Sequence, residues 1–205
     1  MTRGEQLSRA IGAMDPACAA ILDTHPAPES LLESAGESDG LRALIPSLAR
    51  YTASEAFGAR PALTNLHAAA AYLKARYIGI QVERFSLLSL TSAGRLIEYT
   101  ILQDGTLDET AFYLREVLRT VARTKADAAV LCHNHPGGTK RPSRADLDCT
   151  LNALRALKPL GVALLDHLIL AGEDAVSLRA DGWLDSALWD TQNGGGRLAK
   201  KWTGG

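Results

Sequence analysis

Four residues in this 205-residue chain have types and spacing suited to chemistry: His133, His135, Ser143 and Asp146. At the end of a strand, positions i and i+2 point to the same side, so His133 and His135 offer two imidazoles to one point. Asp146 falls one turn into a helix expected to begin at Ser143. Pro136-Gly137-Gly138 lets the intervening loop fold back toward it. Two imidazoles and one carboxylate form a borderline nitrogen and oxygen set. That set suits a catalytic Zn²⁺ whose fourth position stays open for water. Ser143-x-x-Asp146 is also close to a helix capping box, a purely structural reading. The two are compatible, because Ser143 can start the helix while its hydroxyl faces the metal.

Such residues need elements to position them. Leu66 to Leu73 is strongly helical and stops near Gly79. Glu83 to Leu90 reads as a strand, and Ser92-Ala93-Gly94 as a hairpin turn into a second strand, Arg95 to Leu102. Phe112 to Lys125 has helical spacing. Ala128 to Cys132 is a short apolar run of buried-strand type, ending at the histidine pair. The helix from Ser143 should run to about Leu160, where Gly161 ends it. Val162 to Leu170 and Val176 to Leu178 are further strands. Helices before, within and after the strands predict an α/β domain with a mixed sheet flanked by helices.

Both ends of the chain read differently. Residues 1 to about 60 have narrow apolar faces of short helices and no strand signal, and Gly58-Ala59-Arg60-Pro61 reads as a linker. From about Ala187, Gly194-Gly195-Gly196 and Gly204-Gly205 read as a mobile tail with Trp202 its large apolar residue. The expected division is therefore a helical region 1–62, a catalytic-type domain 63–186 and a Gly-rich tail 187–205.

The motif resembles that of the JAMM metalloproteases of the JAB/MPN fold: His-x-His, seven residues, Ser, two residues, Asp. The neighbouring residues narrow the likeness to the RadC-like branch. His133-Asn134-His135-Pro136 with Pro142-Ser143 and Asp146 resembles its signature loop. Leu164-Leu165-Asp166-His167-Leu168-Ile169 resembles its later strand, and Gly105-Thr106-Leu107-Asp108 its turn. The likeness covers roughly residues 63–183. It implies a cytidine-deaminase-like mixed sheet, one Zn²⁺ per chain held by His133, His135 and Asp146, and hydrolysis of peptide or isopeptide bonds. It also implies a glutamate general acid/base on an early strand, which Glu83 matches, with Glu98 as the fallback. Ser143 would then donate a hydrogen bond to the tetrahedral oxyanion. Lys140, Arg141 and Arg144 put positive charge beside the loop and read as solvated charge. Asp166-His167 reads either as support for a ligand histidine or as a satisfied core pair.

RadC-like proteins carry an N-terminal segment resembling a helix-hairpin-helix, whose glycines let backbone amides approach a phosphate. The corresponding stretch, Ile45 to Arg50, has Ser47 and Ala49 at those positions. Residues 1–60 hold five Arg and no Lys against eight Asp and Glu, a net charge of −3, which makes a poor phosphate clamp. This argues against nucleic acid as a partner and favours a peptide or protein substrate. A DNA-repair-associated binding module and a non-catalytic interaction domain are the alternatives.

Composition excludes other classes. The formal net charge is −1, and apolar residues make up 46% of the chain, enough for a packed core. Cys18, Cys132 and Cys149 form no C-x-x-C pair, which excludes a cysteine-only zinc site. Cys132 should face away from His133, and Cys149 should lie in a helix core. His25 and His67 read as structural. His-Asn-His is not the widely spaced triad of HNH nucleases, and the H-x-E and P-C-x-x-C elements of zinc deaminases are missing. No signal-type or membrane-spanning stretch is visible, so a cytoplasmic setting is expected.

Overall fold

The computed structural model describes residues 49–50, 53–105, 110–193 and 197–202. The chain divides into two units, Met1–Thr52 and Ala53–Gly205. The short helices expected up to residue 48, with Cys18 and His25, lie outside the described residues. So do the turn residues 106–108 and, apart from Ala49 and Arg50, the hairpin stretch.

Helix α1 (Leu66–Tyr77) starts where the Asn65 side chain accepts a hydrogen bond from Ala68 N. Its run of alanines lets the helix lie close on the sheet and bury Ala69, Tyr72, Leu73 and Tyr77. The strands are β1 (Arg84–Leu90), β2 (Leu96–Asp104), β3 (Ala128–Asn134), β4 (Ala163–Ala171) and β5 (Asp174–Ser177). Between them run α2 (Thr110–Thr124) and α3 (Arg144–Leu157), the latter extended by a 3₁₀ turn, Lys158–Leu160. The sheet order is β2-β1-β3-β4-β5, with β3 and β4 parallel and the other pairs antiparallel. A mixed sheet flanked by helices is the expected JAB/MPN α/β architecture.

The hairpin between β1 and β2 needs its glycine. Gly94 has φ +75°, and a Cβ there would lie 3.1 Å from the Leu63 carbonyl oxygen and 2.9 Å from Leu198 Cδ1. β1 and β3 are central, which explains why they read as nearly continuous apolar runs. Alternation divides them between two cores. Phe85, Leu87, Ala129 and Leu131 face α2 and α3, whereas Leu88, Leu90, Val130 and Cys132 face α1. His133 continues the first series and Cys132 the second, so the thiol lies behind the sheet as expected. Burial pushes that thiol well above its ordinary pKa. Cys149 packs inside the α3 core.

β4 breaks the alternation. Ala129 pairs with Leu164, but Val130 pairs with Asp166, leaving Leu165 as an extra residue. Leu164 faces the α2 and α3 side. After the bulge that side is taken by Ile169, with His167 opposite Leu131.

The expectation of a mobile tail from about Ala187 is corrected by the structure. α4 (Ser186–Asn193) and α5 (Arg197–Trp202) occupy this segment, and Trp189 and Trp202 are fully buried on opposite faces of the sheet. The indoles bury enough apolar surface to anchor short helices that glycine content alone would leave loose. Trp202 Nε1 also donates to Asp166 Oδ2 at 3.0 Å. Among the described residues, no helix is long and apolar enough to cross a membrane.

Candidate metal centre

In open α/β sheets, ligand sites form beyond the carboxyl ends of strands. β3 carries His133 and ends at Asn134, and the chain then turns through Pro136-Gly137-Gly138, where Gly138 N bonds the His135 carbonyl. α3 begins at the Ser143 cap. The capping box is complete: the Ser143 hydroxyl accepts from Asp146 N at 3.2 Å, and Asp146 Oδ2 accepts from Ser143 N at 2.7 Å. The Ser143 hydroxyl also donates to Asp146 Oδ2 at 2.8 Å. Its one hydrogen therefore goes to the carboxylate. The Ser143 cap therefore also orients the Asp146 carboxylate.

The structure brings Glu83, His133, His135 and Asp146 together, with one ligand atom from each within 4.8 Å of the others. His133 Nε2 lies 3.0 Å from His135 Nε2 and 3.2 Å from Asp146 Oδ1, and His135 Nε2 lies 3.6 Å from Asp146 Oδ2. Ligands about 2.0–2.1 Å from a tetrahedral Zn²⁺ lie about 3.3–3.4 Å apart, so these separations are close to those of such a site. The donor chemistry fits as well. His135 Nδ1 bonds the Thr139 carbonyl at 2.7 Å, and a carbonyl can only accept. The ring's Nε2 is therefore the nitrogen left to face the cluster. Acceptor atoms converging at these distances are satisfied by a cation between them.

Electrostatics agree. Burial opposes ionisation of Asp146, but the adjoining His133 and His135 rings and the Ser143 hydroxyl outweigh it and hold its carboxyl far below the usual range. The positive end of α3 acts in the same direction. The neighbouring Asp146 carboxylate raises the His135 pKa against burial, with the Thr139 carbonyl assisting. Burial, and then His133, drive the His167 pKa well below its ordinary value.

Glu83 sits just before β1 and owes its place to its neighbours' backbone contacts. Asn134, between the two histidines, accepts from Arg84 N at 2.8 Å and donates to the Val82 carbonyl at 3.0 Å, gripping both sides of Glu83. Gly105 N donates to the Glu83 carbonyl at 2.7 Å. Glu98 is elsewhere, ion-paired with Arg123 and held at a pKa of about 2 by Arg123 and Thr100. Lys140 pairs with Asp174 and Arg144 with Asp148, in keeping with loop charge satisfied on the surface. His67 is exposed on α1.

Three neighbours of the cluster have roles that the sequence reading did not assign. Asn134 lies in the signature loop, but its grip on the backbone around Glu83 is a contact its position there does not reveal. Phe85 stacks on His133, with ring centroids 5.3 Å apart and planes at 12°. Thr150 is four residues after Asp146 and so on the same helix face, a spacing that could have marked it. Beside His135 opens a groove of about 670 Å³ lined by Lys74, Tyr77, Ile80, Asn134 and Pro136 among others.

Residues 63–183 match the family described as RadC-like JAB domain. The chain is 37% identical over 138 residues to UPF0758 proteins of Shewanella oneidensis, Shewanella putrefaciens and Shewanella baltica. Each match covers 67% of this chain and 61% of the relative's length.

Proposed function

Because the chain belongs to the RadC-like JAB domain family, we propose that it is a zinc-dependent hydrolase that cleaves a peptide or isopeptide amide. The convergence of His133, His135 and Asp146 on one point, with the Glu83 carboxylate beside it, carries this reading. The three residues would hold the ion through two imidazole nitrogens and one carboxylate oxygen. When bound, Zn²⁺ supplies Lewis acidity and brings the pKa of a water to about 7.

The chain's own residues do the rest. The Glu83 carboxylate takes the proton of the attacking water and delivers it to the leaving amine nitrogen. Asn134 and Gly105 N fix the backbone around Glu83, so the carboxylate is presented rather than left to swing in solvent. Ser143 keeps the Asp146 carboxylate oriented. To bond a developing oxyanion, it must redirect its single hydroxyl hydrogen. Of the four cluster residues, His135 lines the neighbouring groove and would be the one that a substrate chain lying there meets.

Metal analysis of the purified protein tests the reading. The expected content is about one zinc per chain, lost in the His133→Ala/His135→Ala double variant. Glu83→Gln should keep the metal and lose amide hydrolysis. Stoichiometric zinc in the double variant would refute the proposal.

A further inference from the structure

His133 is the most buried ligand of the cluster, and the way its ring is presented depends on residues the hydrolytic reading leaves unused. Its Nδ1 lies 2.8 Å from His167 Nε2. His167 Nδ1 lies 2.6 Å from Thr150 Oγ1, and Thr150 Oγ1 lies 2.6 Å from the Asp146 backbone carbonyl. All four residues are buried.

Hydrogen accounting gives this line a direction. The Asp146 carbonyl can only accept, so Thr150 donates its single hydroxyl hydrogen to it. The hydroxyl oxygen must then accept from His167, which places a hydrogen on His167 Nδ1. The His167 ring is fully buried and its two nitrogens face a histidine and a hydroxyl, with no carboxylate to hold a charge, so Nε2 is an acceptor and His133 Nδ1 must be the donor. The hydrogen-free nitrogen of His133 is then Nε2, the atom facing His135 and Asp146. The relay begins and ends at Asp146, through its main-chain oxygen at one end and its carboxylate at the other.

We propose that Thr150 and His167 are positioning residues that fix the tautomer and ring orientation of His133, so that its Nε2 is bare toward the metal. This rests on the metal reading above. His167 is itself held in place. Its N–H donates to Asp166 Oδ1 at 2.8 Å, its carbonyl accepts from Leu178 N at 3.0 Å, and its ring packs 5.2 Å from that of Phe85. A histidine can therefore aim a single lone pair at His133 from a fixed direction. Such support is worth about 10–100-fold in metal affinity where partners of ligand histidines have been removed.

The test combines histidine ¹⁵N NMR at neutral pH with zinc titration of the full chain. In metal-free protein, His133 and His167 should both carry hydrogen on Nδ1, and zinc should leave those tautomers in place. Hydrogen on His133 Nε2 in the metal-free protein overturns the relay whether or not zinc binds. The expected tautomers without zinc binding uphold the relay and refute the metal reading instead. Thr150→Val keeps the side-chain shape and removes the hydroxyl; it should scramble the His167 tautomer and weaken zinc about tenfold. His167→Leu leaves His133 Nδ1–H buried without an acceptor and should cost more. His167→Gln restores an acceptor and should recover most of the affinity. Wild-type tautomers and affinity in a folded Thr150→Val protein would overturn the proposal. If His167→Leu does not fold, Thr150→Val and His167→Gln decide.

Discussion

Asp166 gives the sharpest quantitative expectation. Its carboxyl is fully buried, and burial raises its pKa from 3.8 to about 6. Hydrogen bonds from Ser177, Trp202 and the N–H groups of Arg179 and His167 pull the other way without overcoming burial. Between those two values the folded chain holds a proton that the unfolded chain has released, so stability falls as pH rises. A change from 3.8 to about 6 corresponds to about 3 kcal/mol, present below the lower value and lost once pH exceeds the upper one. Asp166→Asn cannot titrate and lacks this slope. Urea unfolding of both metal-free proteins from pH 4 to 8 should show wild type losing about 3 kcal/mol relative to the variant, mostly between pH 4 and 6. Taking the difference removes the slopes due to Asp146 and His135. A flat difference, or one in which wild type gains on the variant as pH rises, refutes the reasoning. It would mean that four donors outweigh complete burial and keep this carboxylate ionised.

Three further outcomes follow from single contacts. Trp202→Ala empties a fully buried indole site and leaves Asp166 one donor short, so denaturant unfolding should show a loss of about 3–5 kcal/mol. Asn134→Ala frees the backbone on both sides of Glu83 but touches no ligand. Amide hydrolysis should fall about 100-fold while zinc titration is unchanged. Ser143→Ala removes the α3 cap and one hydrogen bond to Asp146, so it should cost about 1 kcal/mol in thermal unfolding and weaken zinc binding.

The sheet and the helices around it were legible because β1, β3 and β4 are apolar runs of strand length with glycine turns between them. The cluster was legible for a similar reason: a strand end followed by a capped helix is a local arrangement, and His133, His135, Ser143 and Asp146 all lie within it. Glu83 needed the family resemblance, since a charge at a strand entry is ordinary and its grip by Asn134 is a contact across fifty residues. The two C-terminal helices were misread because glycine dominates that segment, while its anchors are two tryptophans whose partners lie far away in sequence. The role of Asp166-His167 stayed open because a strand buried on both faces shows no alternation. Which neighbour faces the histidine pair is then unreadable without the register.

The extra residue in β4 acts as a phase shift. Before it, one parity of the strand looks toward α2 and α3; after it, the other does. Removing Leu165 would make the pairing regular, with Leu164 opposite Ala129 and Asp166 opposite Val130, and would leave His167 facing His133 while taking one apolar side chain from the α1 core. In an alignment of relatives, a one-residue gap between Ala163 and His167 would therefore mark chains whose β4 pairs regularly and whose buried histidine keeps its place beside the metal loop.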